Sequence, residues 1–231
     1  MACSLGVLSC GEAPKVDAAP RKPSPGCRAP AGVSNMPRSV AETVSLVNAL
    51  PKPLSLPCFV ESLARPLEVH ATRSVFSAQP ATGKRSPRIF LFLGPNIVSI
   101  VPEGVGTHLL EFGEQREDHR SLKAEIEFPV THELTPEAPY ERLLFSENFT
   151  GCAFCHAQED QDLAIPNVRA FVSQALRPVA RDHVGIDVMQ AELLACDAEV
   201  EAGRCAMLDA LLSWGTLIEA SFPEDMATFG N

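Results

Sequence analysis

Leu122-Lys123-Ala124-Glu125-Ile126-Glu127-Phe128 is the stretch that decides the fold. Leu122, Ala124, Ile126 and Phe128 alternate with Lys123, Glu125 and Glu127, the period of two that sets one face of a strand on a core and the other in water. Upstream, Leu67-Glu68-Val69-His70-Ala71 alternates likewise, while Arg88-Ile89-Phe90-Leu91-Phe92-Leu93 is a continuous apolar run suited to a strand covered on both faces. Gly94-Pro95-Asn96 offers a turn, after which residues 97–101 can return antiparallel until Pro102-Glu103-Gly104. Leu109-Leu110-Glu111-Phe112 and Leu143-Leu144-Phe145 supply two further short strands. Strands of this length, about ten residues apart, predict an antiparallel β-sandwich or barrel over residues 56–145.

The flanking segments differ in kind. Residues 11–55 contain Pro14, Pro20, Pro23, Pro25, Pro30, Pro37, Pro51 and Pro53 among Ala, Ser and Gly, which reads as a disordered tether with one short helix at residues 40–50. Beyond Pro166 the apolar spacing turns helical. Val168, Phe171, Val172, Ala175 and Leu176 form one stripe, Met189, Leu193, Cys196 and Val200 a second, and Leu208, Leu211, Leu212, Gly215 and Ile218 a third. Gly203 sits where a helix end is needed. The expected fold is therefore α+β: a tether at 11–55, a β-rich domain at 56–145 and a helical segment at 146–231.

Composition narrows the function. A net charge of −10 with a pI near 5.1 argues against nucleic acid and against an electrostatic hold on anionic lipid. Eight cysteines in 231 residues point to an oxidising compartment. No apolar run approaches the roughly 18 residues of a transmembrane helix, so membrane association would have to come from an anchor. Val7-Leu8-Ser9-Cys10 resembles the lipobox that ends a bacterial lipoprotein signal, which implies lipidation of Cys10 and a periplasmic or outer-membrane-anchored protein.

The chemistry concentrates in Cys152-Ala153-Phe154-Cys155-His156, because C-x-x-C-H is the pattern at which haem is attached covalently. Cysteines one turn apart point the same way and can add to the two vinyl groups of a porphyrin, and the following histidine reaches the iron. From Leu144 to Leu176 the chain resembles small bacterial cytochromes c, with an aromatic residue before the first cysteine, Gly151 beside it, and Pro166 ten residues after His156. That resemblance implies haem c held by Cys152 and Cys155, with His156 as proximal ligand. It also implies a carbonyl near Pro166 accepting the His156 Nδ1–H, and electron transfer to a redox partner protein. For the distal ligand, Met207 has the most family-like separation and His183 would give bis-histidine ligation, whereas Met226 lies too near the C-terminus to precede a packing helix. After the motif no methionine is followed by proline, as the family's distal ligand usually is.

Other readings use the same residues. A thioredoxin-like site would need a βαβ setting, and a zinc site would need a fourth ligand beyond Cys152, Cys155 and His156. A non-catalytic β-sandwich lipoprotein with a binding role would make these cysteines structural, bridged to each other or to Cys58, Cys196 or Cys205. Cys196 and Cys205 lie too far apart in one straight helix and pair only if Gly203 breaks it into a hairpin. From residue 179 onward ten acidic residues face only Arg181 and Arg204, a solvated face or a dock for a basic redox partner. Pro136 interrupts His132-Glu133 before any helical zinc motif, and the chain has neither a G-x-S-x-G nor a phosphate loop.

Overall fold

A computed structural model describes residues 22–75 and 77–228, and Cys10 with its lipobox lies outside them. The expected α+β class is what the chain adopts, built on one open sheet of nine strands. The strands are β1 (Leu67–Thr72), β2 (Arg88–Leu93), β3 (Asn96–Ile100), β4 (Leu109–Gln115), β5 (Arg120–Glu127), β6 (Asp160–Gln161), β7 (Phe171–Gln174), β8 (His183–Val184) and β9 (Leu217–Glu219). Their spatial order is β6-β7-β5-β4-β3-β2-β1-β8, with β9 added in parallel to β1 beside β8. The sheet does not close into a barrel.

One face of the sheet carries the main core. Leu67, Val69, Ile89, Leu91, Val98, Ile100, Leu110, Leu122 and Ile126 all lie on it and are buried. Helices supply the other half: α1 (Val40–Ala49), α2 (Leu56–Ser62), α4 (Ile186–Leu194) and α5 (Ala202–Leu212) contribute Leu46, Phe59, Met189 and Leu211 to the same cluster. Helix α1 starts where Ser39 Oγ accepts from the Glu42 amide at 3.1 Å and Glu42 in turn accepts from the Arg38 amide at 2.7 Å.

The Pro-rich stretch is thus no tether from Cys27 onward, and the short helix expected at residues 40–50 forms as α1. Val40, Leu46, Val47, Leu50 and Leu54 are buried, and a disulfide between Cys27 and Cys58 fastens the segment before α1 to α2. Prolines punctuate this region without preventing it from burying an apolar stripe. Cys58, which the sequence offered as a partner for the motif cysteines, pairs with Cys27 instead. Cys196 and Cys205 do pair, but the chain turns at residues 195–201 between α4 and α5, and Gly203 lies inside the first turn of α5.

The segment from 146 onward is not purely helical. The stripe at Val168–Leu176 contains β7, hydrogen-bonded to β5 with Leu122 opposite Val172 and Lys123 opposite Phe171. Short apolar runs fit either period, and here Phe and Val, between β6 and β5, take the extended form. Residues 143–145 form no strand, only an isolated bridge between Leu144 and Thr150. Part of the acidic C-terminal charge is spent internally: Glu192 and Glu201 pair with Arg204, a residue only 3% exposed, and Glu219 accepts from the Ile186 amide at the start of α4.

Candidate functional site

The second face of β5 was expected to meet water, yet Lys123 is only 7% exposed and Glu125 only 9%. The chain after α3 (Ala138–Glu141), residues 175–178 and the C-terminal Phe222 and Met226 cover this face and leave a cavity of about 360 Å³. Register places Phe92, Ile97, Gly113, Lys123 and Phe171 side by side across five strands, with Phe90, Ser99, Glu111 and Glu125 in the next row. Gly113 keeps the space beside Lys123 open because it has no side chain.

Cys152, Cys155 and His156 all line this cavity. The motif forms a single 3₁₀ turn, Gly151–Phe154, in which the Cys155 and His156 amides both donate to the Cys152 carbonyl, at 3.0 and 2.9 Å. Side chains three apart eclipse in such a turn, which brings the two cysteines to one side. Thr150 caps the turn by accepting from the Cys152 amide at 3.1 Å. It is itself clamped by Glu159, whose carboxylate accepts from the Thr150 amide and hydroxyl at 2.7 and 2.6 Å. A left-handed residue, Gln158, then returns the chain towards β6.

His156 is held at its other side. Its Nδ1 lies 2.8 Å from the Gln174 carbonyl, and the Gln174 amide donates to the Ala157 carbonyl at 2.9 Å. The resemblance to cytochromes placed this acceptor near Pro166; β7 supplies it instead, because the chain carrying Pro166 passes on to the strand before returning to the ring. Burial, with the positive charges of Lys123 and Arg88 nearby, lowers the imidazole's pKa to about 4, so the ring is neutral at physiological pH. Neutral imidazole with one nitrogen fixed on a carbonyl is the form in which histidine ligates metals.

The thiols are also informative. Among the described cysteines, Cys27, Cys58, Cys196 and Cys205 are bridged, whereas Cys152 and Cys155 are free. Burial pushes the Cys152 thiol up to about 11, against the pull of Thr150 and Lys123. Redox dithiols and nucleophilic cysteines need the opposite shift. Cys152, Cys155 and His156 do not converge on one point as a metal cluster; among the described residues the donor group that does, Cys196 with Glu201 and Cys205, contains a disulfide.

Neither expected distal residue reaches the cavity. Met207 is buried on α5 in the helical core, on an apolar stripe that packs inward. His183 stacks on His70 with ring centroids 4.8 Å apart and lies 3.3 Å from a Glu219 oxygen. Met226, set aside for its position near the C-terminus, does line the cavity and is 4% exposed. Arg177 secures it, donating to the Met226 carbonyl at 2.8 Å while its amide donates to Ala227. Lys123, Arg88 and Glu111 also escaped the sequence reading. The signal for them was the doubly apolar β2, since a strand covered on both faces implies cover over its neighbours too.

Fold and site together define an α+β protein with one open sheet, helices over one face and a cavity with an unpaired cysteine pair and a neutral histidine over the other. Among the described residues no helix is long and apolar enough to cross a membrane. No family model, curated protein or solved structure matches the chain.

Proposed function

We propose that the cavity holds a covalently attached haem and that the protein is an exported electron carrier. The observation that carries this reading is the fixed His156, its Nδ1 on the Gln174 carbonyl, within a motif whose two free thiols line the same cavity. Cys152 and Cys155 would hold the porphyrin through thioethers, and burial favours these uncharged sulfurs over thiolates. His156 would be the proximal ligand and Met226, the methionine on the cavity wall, the distal one. The bound group would supply a one-electron iron couple. Phe90, Ile97, Leu176 and Phe222 give the cavity apolar walls; its volume of about 360 Å³ is smaller than a whole haem, so part of the group would stand outside the cavity.

Two disulfides are typical of an oxidising compartment. With the lipobox-like Cys10, they support a periplasmic or outer-membrane-anchored location and a redox partner in the same compartment. The test is expression with the c-type maturation machinery followed by haem staining of denatured protein. Wild-type chain should retain haem and a Soret band, and Cys152→Ser with Cys155→Ser should lose both. Absence of covalent haem in the wild type refutes the reading.

The same disulfides favour a second reading, a β-rich envelope protein whose cysteines are structural and whose cavity binds a small ligand. In that case Cys152→Ser would alter stability and leave the absorption spectrum unchanged.

A further inference from the structure

The wall of the cavity opposes the charge of the whole chain. The protein carries a net −10, yet the charged residues lining the cavity are Arg88, Lys123, Arg142 and Arg177 against only Glu111 and Glu125. Most of these are already matched. Arg88 pairs with Glu111 at 2.5 Å, Arg142 with Glu125 at 2.5 Å, and Arg177 caps the carbonyls of Glu224 and Met226.

Lys123 is different. Among the described residues its ammonium makes one hydrogen bond, to Ser121 Oγ at 2.7 Å, and no ion pair. Glu159 spends both carboxylate oxygens on Thr150, and Glu111 spends one on Arg88. A lysine that is 7% exposed, with donors to spare and no carboxylate, stays charged at a cost, which burial registers by lowering its pKa to about 8 and which a bound anion would offset. On the same face Arg88 Nε is likewise a buried donor without a partner, whereas the unmatched Glu111 Oε1 is an acceptor and does not favour an anion. Gly113, opposite Lys123 across the β4–β5 pair, leaves the approach clear.

We propose that Lys123 anchors an anion-binding subsite on the floor of the cavity, taking a carboxylate or a comparable small oxyanion. The anion sits against the sheet beside Lys123, and its negative charge offsets the excess of cations on the wall. The subsite rests on the cavity and its charges; within the haem reading, the anion is either a carboxylate of the tetrapyrrole or a free ion bound beside it.

The test uses the full chain in two forms, made without haem and made with the maturation machinery, titrated with acetate and with inorganic phosphate by calorimetry and thermal melting. Haem-free wild type should bind acetate or phosphate. Lys123→Gln should bind at least about tenfold more weakly, the loss expected for a charge-assisted hydrogen bond, and Lys123→Arg should retain binding. Unfolding midpoints without added anion check that each variant folds, and Lys123→Met is the second neutral variant. If the haem-loaded wild type still binds the probe, the occupant is a free anion. If loading abolishes binding, the tetrapyrrole's own carboxylate occupies Lys123. Equal affinity in wild type, Lys123→Gln and Lys123→Met, or no binding to haem-free wild type, overturns the proposal. Failure to attach haem overturns the haem reading instead and leaves the haem-free titration to stand or fall on its own.

Discussion

On one side of the sheet Leu122, Ala124 and Ile126 join Leu46, Phe59 and Leu211 in a continuous apolar core; on the other, one residue along the same strand, Lys123 and Glu125 lie beneath Cys152, His156 and Met226. Both faces are covered, so burial alone does not separate them. They differ in what covers them. Regular helices with matched apolar stripes pack the first face densely, whereas turns, a 3₁₀ segment and the chain end roof the second and leave space. The first face is where stability resides, and the second is where chemistry can occur.

The largest test of that division is a pair of truncations. Phe59, fully buried on α2 with its ring 5.9 Å from Phe128, should cost about 4 kcal/mol when changed to Ala, read as a fall in the urea midpoint. Phe90, whose ring meets Phe222 at 5.1 Å in the cavity wall, should cost less than half as much. Equal losses would mean that the two faces contribute alike to the fold.

Both disulfides brace the helical face, and loop length sets their order. Cys27–Cys58 closes 31 residues and Cys196–Cys205 closes 9. Chain entropy gives about 4 kcal/mol for the first and about 3 kcal/mol for the second. Replacing each pair by Ser and comparing denaturation midpoints should show the larger loss at Cys27–Cys58. The opposite order would show that the segment before α1 contributes little to the fold.

The cavity face should reveal itself through pH. In the folded chain made without haem, His156 titrates near 4, well below the ordinary value of 6.5, because of burial. Between these values the unfolded chain takes up a proton that the folded chain refuses, so stability falls as pH drops from about 6.5 towards 4. It is fully present above 6.5. The difference amounts to about 3 kcal/mol over that window. His70, also lowered by burial, acts in the same direction, while Glu125, whose pKa burial raises, opposes it. His156→Gln should flatten the acid limb of a stability-against-pH curve. An unchanged limb would place the imidazole in water.

Much of the helical face could be read from the sequence, and the cavity face could not, for a physical reason. Alternation in Leu122–Phe128 identifies which residues leave the core side but not whether they meet water or protein, and Lys123 and Glu125 look solvated in either case. The motif was legible because its chemistry is local, with two thiols and an imidazole within five residues. Its supports were not: the Gln174 carbonyl reaches His156 only because β7 pairs with β5, and Glu159 clamps Thr150 across the turn. Proline density misled at residues 40–55 in one respect: the short helix expected at 40–50 forms, capped by Ser39, but it buries Val40 and Leu46 in the core and is no part of a tether. Period misled at Phe171–Gln174, since four residues cannot distinguish a strand from one helical turn.

The smallest expected effect on stability is the one that separates the faces most cleanly. Gly113 sits on the cavity side of β4, and the nearest atoms a Cβ there would meet, Gln115 Nε2 and Ser121, lie at 3.5 Å or beyond, which is ordinary contact. A valine suits a strand and removes the entropy cost of glycine, so Gly113→Val should leave stability within about 1 kcal/mol of wild type. Its two methyl groups, however, enter the row between Ile97 and Lys123 and take up space the cavity needs. With the thiols and His156 intact, the variant should melt like the wild type and attach far less haem under the same maturation conditions. Wild-type haem content in a folded Gly113→Val protein would place the attachment outside this cavity and leave the charged face as packing alone.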